Sequence, residues 1–396
     1  MWQGIKNIYH LFVSMLVNII FFFPGRWIKV VGVTGTDGKT TTVALITHIL
    51  EGAGYKISYI TSIEAVIGGK KYETGFHVTT PSSFSLQKYL WRAILKKSEF
   101  FILEVTSHAI DQQRIWGIPF LVGVLTNVTE EHLDYHKTYD KYLKTKEKLL
   151  KLAKFAIVNR DDASYTLLSE SKNKKDKEHW ITYGFSESSD INLGNFKFNT
   201  TLLGDFNKFN ILAAVATCRT LGIKDEIIRR SIETFKEPKG RLDFVYDKDF
   251  SVMIDFAHTP SAFESILSSL KPLFKGKIIH VFGSAGNRDA AKRPFMGEIS
   301  SKYADVVVLT SEDPRKEKVE KIMEEIEAGI KKIDATVIKI PDRREAIEAA
   351  IQMVGKGDLV LITGKAHEKS MNLGNGEIPW DEYEVVKKAL SEKYGK

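Results

Sequence analysis

Gly32-Val33-Thr34-Gly35-Thr36-Asp37-Gly38-Lys39-Thr40-Thr41-Thr42 follows an apolar run at 28–33 and leads straight into a helical pattern. The glycines fall where a strand must turn sharply. In such a turn backbone N–H groups converge on phosphate oxygens, a lysine placed like Lys39 neutralises their charge, and a hydroxyl placed like that of Thr40 reaches a magnesium ion. The strict Gly-x-x-x-x-Gly-Lys-Ser/Thr spacing needs glycine at position 33, where this chain has Val33. It carries the shorter Gly35-x-x-Gly38-Lys39-Thr40-Thr41 instead. The stretch reads as a nucleotide-phosphate loop between a strand and a helix.

Working outward, Val43, Ile46, Thr47, Ile49 and Leu50 form a helical stripe. Strand-like runs follow at 57–59, 100–105, 121–125 and 156–158, several of them separated by helical segments. This is the rhythm of a mostly parallel sheet covered by helices, an α/β domain of the P-loop ATPase type. Helices around 210–221 and on to 235 close it, giving a central domain over 28–237. The lysine-rich stretch 171–177 reads as a solvated excursion. Glu237-Pro238-Lys239-Gly240 has linker character. A second β-α series then fills 238–396, with strands at 252–254, 277–282, 306–309, 336–340 and 359–362 and helices at 261–270, 317–332 and 343–354. That series predicts a Rossmann-like domain.

With 396 residues, 43% hydrophobic and 27% charged, the chain has the length and composition of two or three folded domains. Its one cysteine, Cys218, excludes a disulfide framework and a cysteine zinc site and fits a reducing compartment. A net charge of +7 favours anionic ligands or a membrane surface. The lysines are spread over the chain rather than clustered, which argues against a nucleic-acid partner.

Residues 8–23 are almost wholly apolar and closed by Pro24-Gly25-Arg26, with His10, Ser14 and Asn18 recurring every four residues. This is short of the roughly 20 residues a spanning helix needs and reads as an amphipathic helix, treated as a segment of its own over 1–27. A signal peptide is disfavoured by the missing small-residue cleavage site and by the phosphate loop that follows at once. Two readings stay open. The helix lies on the inner face of a membrane, with Arg26 and Lys29 favouring an anionic leaflet, or it packs on the protein's own body.

Almost every unusual polar cluster comes just after a strand, the edge at which open α/β sheets bind ligands. Glu104 ends the run 100–105 and is followed by Thr106, Ser107 and His108; a carboxylate there is a natural magnesium ligand. Asn127 is followed by His132, Asp134 and His136, a spacing open to a transition metal, although magnesium with one histidine suits a nucleotide site better. Further on come Asn207 and Asn210, then Asp255 with His258, Arg288 and Asp289 with Lys292 and Arg293, Glu312 and Asp313 with Arg315, and Gly364 and Lys365 with His367 and Glu368.

Taken in order, these segments resemble the Mur ligases, the ATP-dependent amino-acid ligases of peptidoglycan precursor assembly, and among them the type that adds a diamino acid to a UDP-N-acetylmuramoyl-dipeptide. The resemblance runs from about Lys29 to the C-terminus. It implies that Gly35, Thr36, Asp37, Gly38, Lys39, Thr40 and Thr41 hold the ATP phosphates, with Thr40 and Glu104 on one magnesium. A second magnesium would be held by His132 and a carbamylated lysine. The family's register puts that lysine at Lys146, while spacing alone does not separate it from Lys144 or Lys148. Lys39, His132 and Lys146 would be the catalytic set. Thr79, Thr80, Thr106, Gln112 and Arg114 match acceptor-binding positions, and Asn210, Arg241, Asp255 and His258 match positions around the nucleotide. Arg288, Glu312, Asp313, Arg315, Gly364 and Glu368 match positions that hold the incoming amino acid. An arginine at 315 suits a second carboxylate on that amino acid, as in meso-diaminopimelate.

Four positions depart from the usual pattern: Glu312-Asp313 replaces Asp-Asn, Ala366 replaces glycine and Asp37 replaces asparagine. The family's uridine-nucleotide domain has no counterpart in front of the loop. The resemblance implies a cytoplasmic monomer acting on small molecules, possible membrane contact through 8–23 aside. A folylpolyglutamate-type ligase is the rival of similar fold, opposed by Glu104-Val105-Thr106-Ser107-His108 and Asp313-Pro314-Arg315. The amidating relative with a four-cysteine zinc ribbon fails on the single cysteine. A non-catalytic ATP-binding membrane adaptor would have no use for a second metal.

Overall fold

A computed structural model describes residues 2–72, 79–170, 179–331 and 335–395. The lysine-rich stretch 171–177 and the end of the helix expected at 317–332 fall outside them. The chain divides into two compact units, the first running to Leu202 and taking in Phe206–Lys236, the second comprising Leu203–Asp205 and Glu237–Lys396.

Unit 1 is built on an eight-stranded sheet. Its strands are β1 (Lys29–Thr34), β2 (Ile57–Ile60), β3 (Ala65–Ile67), β4 (Lys70–Tyr72), β5 (Phe100–Glu104), β6 (Phe120–Leu125), β7 (Ala153–Asn159) and β8 (Trp180–Tyr183), in the order β4-β3-β2-β5-β1-β6-β7-β8. All pairs are parallel except the hairpin β2-β3-β4 at one edge. The central strands are buried on both faces, which is why they read as continuous apolar runs instead of alternating ones. β1 lies between β5 and β6, so the turn after it opens where the strand order reverses, the crevice in which doubly wound sheets take their ligands.

The helices that matter here are α1 (Trp2–Ile20), α2 (Lys39–Gly52), α3 (Ser83–Leu95), α4 (Ser107–Asp111), α5 (Leu133–His136) and α6 (Tyr139–Leu152). α2 and the helix Asp205–Thr220 share a core with β1, β5 and β6 on one face of the sheet. The N-terminal helix packs beside α3 with its polar stripe turned inward: Ser14 and Asn18 are fully buried while Ile8 and Phe12 are about two-thirds exposed.

Unit 2 carries a six-stranded sheet of β9 (Asp243–Asp247), β10 (Ser251–Asp255), β11 (Ile278–Phe282), β12 (Val306–Leu309), β13 (Thr336–Lys339) and β14 (Leu359–Thr363), ordered β13-β12-β11-β14-β10-β9. Only the edge strand β9 is antiparallel. The expected architecture, two α/β units with mostly parallel sheets, is what the chain forms. Strands the sequence reading passed over are the short or edge ones, β3, β4, β8 and β9, together with the hairpin Ser370–Asn372 and Glu377–Pro379.

Candidate active site

The loop after β1 is shaped by what presses on it. Gly35 has φ 154° and Gly38 φ 80°. A Cβ on Gly35 would stand 1.7 Å from Thr126 Oγ1, and one on Gly38 would stand 2.2 Å from Asn210 Oδ1. Glycine is therefore required at both positions for lack of room as well as for conformation. The end of β6 clamps the loop: Asp37 N donates to Asn127 Oδ1 at 2.9 Å, Thr126 Oγ1 donates to the Asp37 carbonyl at 2.6 Å, and Thr36 N donates to the Asn127 carbonyl at 2.9 Å. Thr42 N bonds the Gly38 carbonyl as α2 begins, so the N–H groups of Lys39, Thr40 and Thr41 belong to the helix's N-terminal end, where anions settle. Lys39 Nζ curls back to the Thr36 carbonyl at 2.7 Å. Asn210 also accepts from Thr42 Oγ1 at 3.4 Å and donates to Asn207 Oδ1 at 3.1 Å, so the asparagine pair reaches from its own helix to the start of α2.

Glu104 ends β5 in register with Val33 and is 2% exposed. Its Oε2 accepts from Thr40 Oγ1 and from Ser62 N, each at 2.9 Å, and Ser62 Oγ lies 3.1 Å from Thr40 Oγ1. A buried carboxylate with two hydroxyls is an all-oxygen donor set of the kind magnesium takes. Ser62 went unnoticed in the sequence because it stands in an ordinary loop.

α6 brings Lys146 to the other side of the loop. Its Nζ donates to the Gly35 carbonyl at 2.6 Å and sits 4.3 Å from the centre of the Tyr142 ring. Burial, joined by the charge of Lys39, pushes its pKa well below the usual amine range, against the pull of Glu131 and Asp37. Lys144 and Lys148 are exposed, Lys144 paired with Asp140 at 2.9 Å. A neutral amine is the chemical precondition of carbamylation, and of these three lysines the interior position belongs to Lys146. His132, at φ 55°, places Nε2 3.7 Å from Glu131, with its ring 4.9 Å from that of His108 and 6.2 Å from that of Tyr142. The Tyr142 hydroxyl is 3.3 Å from Thr36 Oγ1, linking this group to the loop. His136 is engaged differently, bonded to Ser107 Oγ at 3.0 Å, and burial pushes its pKa down to about 4. Among the described residues no three His, Cys, Asp or Glu side chains converge as a metal cage.

Most of the acceptor candidates form one network. Thr80 Oγ1 donates to the Glu104 carbonyl at 2.9 Å and accepts from Thr106 N at 3.0 Å. Arg114 donates through Nη1 to the Thr80 carbonyl at 2.8 Å and grips Gln112 Oε1 through Nε and Nη2 at 3.0 and 2.6 Å. Thr79 is half-buried beside them. Behind this network Asp111 accepts from the Tyr135 hydroxyl at 2.8 Å and from Asn7 of α1 at 3.0 Å, residues the sequence reading did not single out.

In unit 2, buried Asp255 accepts from Leu242 N at 2.8 Å and Ala257 N at 2.6 Å. Burial raises its pKa against the charge of Arg241, whose guanidinium lies 4.8 Å from the Phe256 ring centre. His258 Nδ1 is 2.8 Å from the Phe256 carbonyl, and Lys292 Nζ donates to the His258 carbonyl at 2.6 Å. A second cluster gathers after β12 and β14. Lys365, fully buried, donates to Asp313 at 2.9 Å and to Glu368 at 2.6 Å, and these two carboxylates keep it charged despite burial. Glu312 packs on Gly364, where a Cβ would be 2.9 Å from Glu312 Oε2. Arg315, at φ 52°, donates to the Gly286 carbonyl at 2.7 Å. Arg288 stands exposed on the loop after β11. Arg343, absent from the sequence reading, lies buried beneath, bonded to the Ser311 and Thr363 carbonyls and to Glu382.

Residues 33–218 match the Mur ligase middle domain and residues 240–366 the Mur ligase glutamate ligase domain. The UDP-N-acetylmuramoyl-L-alanyl-D-glutamate–2,6-diaminopimelate ligase 1 of Clostridium acetobutylicum is 36% identical over 393 residues, covering 94% of this chain and 80% of that protein. A solved UDP-N-acetylmuramoyl-L-alanyl-D-glutamate–2,6-diaminopimelate ligase superposes with a TM-score of 0.61 at 28% identity, over 93% of this chain and 79% of its own. The folylpolyglutamate synthase of Mycobacterium tuberculosis superposes at 0.72 over 98% of this chain and 95% of its own, but at 15% identity, which shows a shared fold alone. Sequence identity, domain matches and fold point the same way, and the chain belongs to the Mur ligase family.

Proposed function

We propose that the chain is an ATP-dependent amide ligase that joins 2,6-diaminopimelate, or a related diamino acid, to a UDP-N-acetylmuramoyl-dipeptide or related peptidoglycan precursor, acting in the cytoplasm as a monomer. The observation that carries the reading is the convergence of Lys39, Lys146 and the Thr40–Glu104 pair on one strand-to-helix loop. A phosphate-binding turn needs the first; a site that transfers phosphate needs charge on every side of it.

In this reading the loop from Gly35 to Thr41 cradles the ATP phosphates and Lys39 releases the Thr36 carbonyl to meet them. Magnesium would be held by the oxygens of Thr40 and Glu104 and a second ion by His132 with a carbamylated Lys146, and both would offset phosphate charge. Arg114, held on Gln112 and Thr80, orients the acceptor carboxylate together with Thr79 and Thr106. An oxygen of that carboxylate bonds the γ-phosphorus as the bond to ADP breaks, giving an acyl phosphate. The amine nitrogen then bonds the acyl carbon, phosphate leaves, and the ammonium proton passes to solvent. Asn210, Arg241, Asp255 and His258 attend the nucleotide.

Arg288, Glu312, Arg315, Gly364 and Glu368 receive the amino acid, with the Arg315 fork on its distal carboxylate. Asp313 adds an acid where the family usually has asparagine. Asp313 shares the buried cation Lys365 with Glu368, so the added acid is paired and not left bare.

Phosphate release with ATP and magnesium tests the reading, screened over 2,6-diaminopimelate, lysine and other amino acids against the UDP-linked dipeptide and a lipid-linked precursor. Release that requires acceptor, amino acid and Lys39 together supports it. Release that survives Lys39→Ala, or none with any pairing, overturns it.

A further inference from the structure

α1 is amphipathic with its faces reversed. Ser14 Oγ lies 2.6 Å from Ser83 Oγ and donates to the Gln113 carbonyl at 2.8 Å, while Asn18 donates to the Trp116 carbonyl at 2.9 Å and Asn7 to Asp111 at 3.0 Å. Rolling the helix to hide its apolar side would strand the buried partners of these groups, at about 1–3 kcal/mol for each. Ile8, Tyr9, Phe12, Ile19 and Ile20 point outward, each more than half exposed.

The neighbouring α3 extends this surface. Phe84, Trp91 and Leu95 stand exposed along one stripe, and the Phe84 ring meets that of Phe21 edge-on at 5.5 Å. Twelve of the twenty-one exposed large hydrophobic side chains among the described residues lie within 8–27 and 84–95. An apolar patch this concentrated marks a docking surface.

Charge says what docks. Residues 1–29 and 83–97 contain seven lysines and arginines, among them Lys6, Arg26, Lys88 and Lys97, and no aspartate or glutamate. Phe22 and Trp27, each 74% exposed, flank Arg26 in the manner of interfacial aromatics. No described helix is long and apolar enough to cross a membrane. A helix with an apolar outer face, basic flanks and exposed aromatics at its end suits the plane of a bilayer's headgroups. We propose that the outward face of α1 and α3 docks on an anionic lipid bilayer without spanning it. The inference is independent of the ligase reading, because vesicle binding needs neither ATP nor acceptor.

The test is co-sedimentation of the full chain with vesicles of phosphatidylcholine alone and of phosphatidylcholine mixed with phosphatidylglycerol. Binding to the mixed vesicles is expected, falling as salt rises. Phe12→Glu with Ile19→Glu, both at exposed positions, should weaken it at least tenfold with an unchanged thermal unfolding midpoint. Lys96→Gln with Lys97→Gln should weaken it by about fivefold per residue. Equal binding to both vesicle types, or none, overturns the proposal. So does a lipid-free dimer that Phe12→Glu with Ile19→Glu dissociates, which would make a second copy the occupant.

Discussion

Glu104→Gln separates the chemistry of the candidate site from its architecture. Glu104 Oε2 accepts two hydrogen bonds, from Thr40 Oγ1 and Ser62 N, both at 2.9 Å, in a position only 2% exposed. A glutamine carbonyl oxygen accepts the same two bonds in nearly the same volume, so stability should change by less than about 1 kcal/mol. What disappears is the negative charge. In a water-poor site, loss of one preorganised electrostatic contact costs about 2.7–4 kcal/mol, or on the order of 100- to 1,000-fold in rate. The variant should therefore unfold near the parent's midpoint, need far more magnesium for half-maximal phosphate release, and turn over at least 100-fold more slowly. Glu104→Ala gives the contrast, because it also strands the Ser62 N–H and should cost about 1–3 kcal/mol of stability. Glu104→Gln with activity and magnesium dependence within a few-fold of the parent would falsify the assignment of Glu104 to the metal.

Gly38→Ala combines a left-handed φ of 80° with a Cβ 2.2 Å from Asn210 Oδ1; it should lose at least about 1–2 kcal/mol of stability and weaken ATP binding in calorimetry, and unaltered ATP binding would contradict the packing argument. Arg315→Lys keeps the charge but loses the fork, so the KM for 2,6-diaminopimelate should rise at least about tenfold with that for ATP unchanged; parallel changes in both would remove Arg315 from the amino-acid site. His280 is buried between Ser300 and Thr363, and burial, helped by the charge of Arg343, pushes its pKa from 6.5 down to about 3. The unfolded chain thus binds a proton in that window that the folded chain refuses, so this contribution to stability is complete above pH 6.5 and declines by about 1.4 kcal/mol per pH unit below it. His280→Gln should flatten that slope in denaturant titrations at pH 5 and pH 7, and an unchanged slope would assign acid sensitivity elsewhere.

The parts of this fold that read plainly from sequence are those where local chemistry and tertiary role agree. β1, β5 and β6 are buried on both faces and so appear as unbroken apolar runs, and the polar clusters stand out because they interrupt those runs at the ligand-binding edge. Ser62 and Tyr142 reach the loop through contacts distant in sequence, which no local pattern announces. Lys144, Lys146 and Lys148 share one composition and one helix; only the packing of α6 decides which is inside. The reversed α1 shows the same limit from the other direction. Periodicity reveals that a helix has two faces, and ordinary hydrophobic burial would turn the apolar one inward. Here Asn7, Ser14 and Asn18 find specific partners on the segment 111–116 and on α3, and those bonds orient the helix.

The positions that depart from the family's pattern show how much a motif tolerates when its physical task is preserved. Residue 37 clamps the phosphate loop through its backbone N–H and carbonyl, which aspartate and asparagine supply alike. Asp313 accepts from Asn372 N at 3.0 Å as well as from Lys365, bonds that an amide oxygen would also make, and its extra charge shares that buried lysine with Glu368. Ala366 is the costly one: it sits at φ 43° with its Cβ 2.9 Å from where a side chain on Gly240 would begin. A left-handed alanine is strained by about 1–2 kcal/mol relative to its ordinary conformations. That strain is borne beside Lys365, whose two ion pairs hold the turn from the adjacent position. Motif identity is therefore a poor guide at these sites, and the hydrogen-bonding capacity and charge balance of each position are the better one.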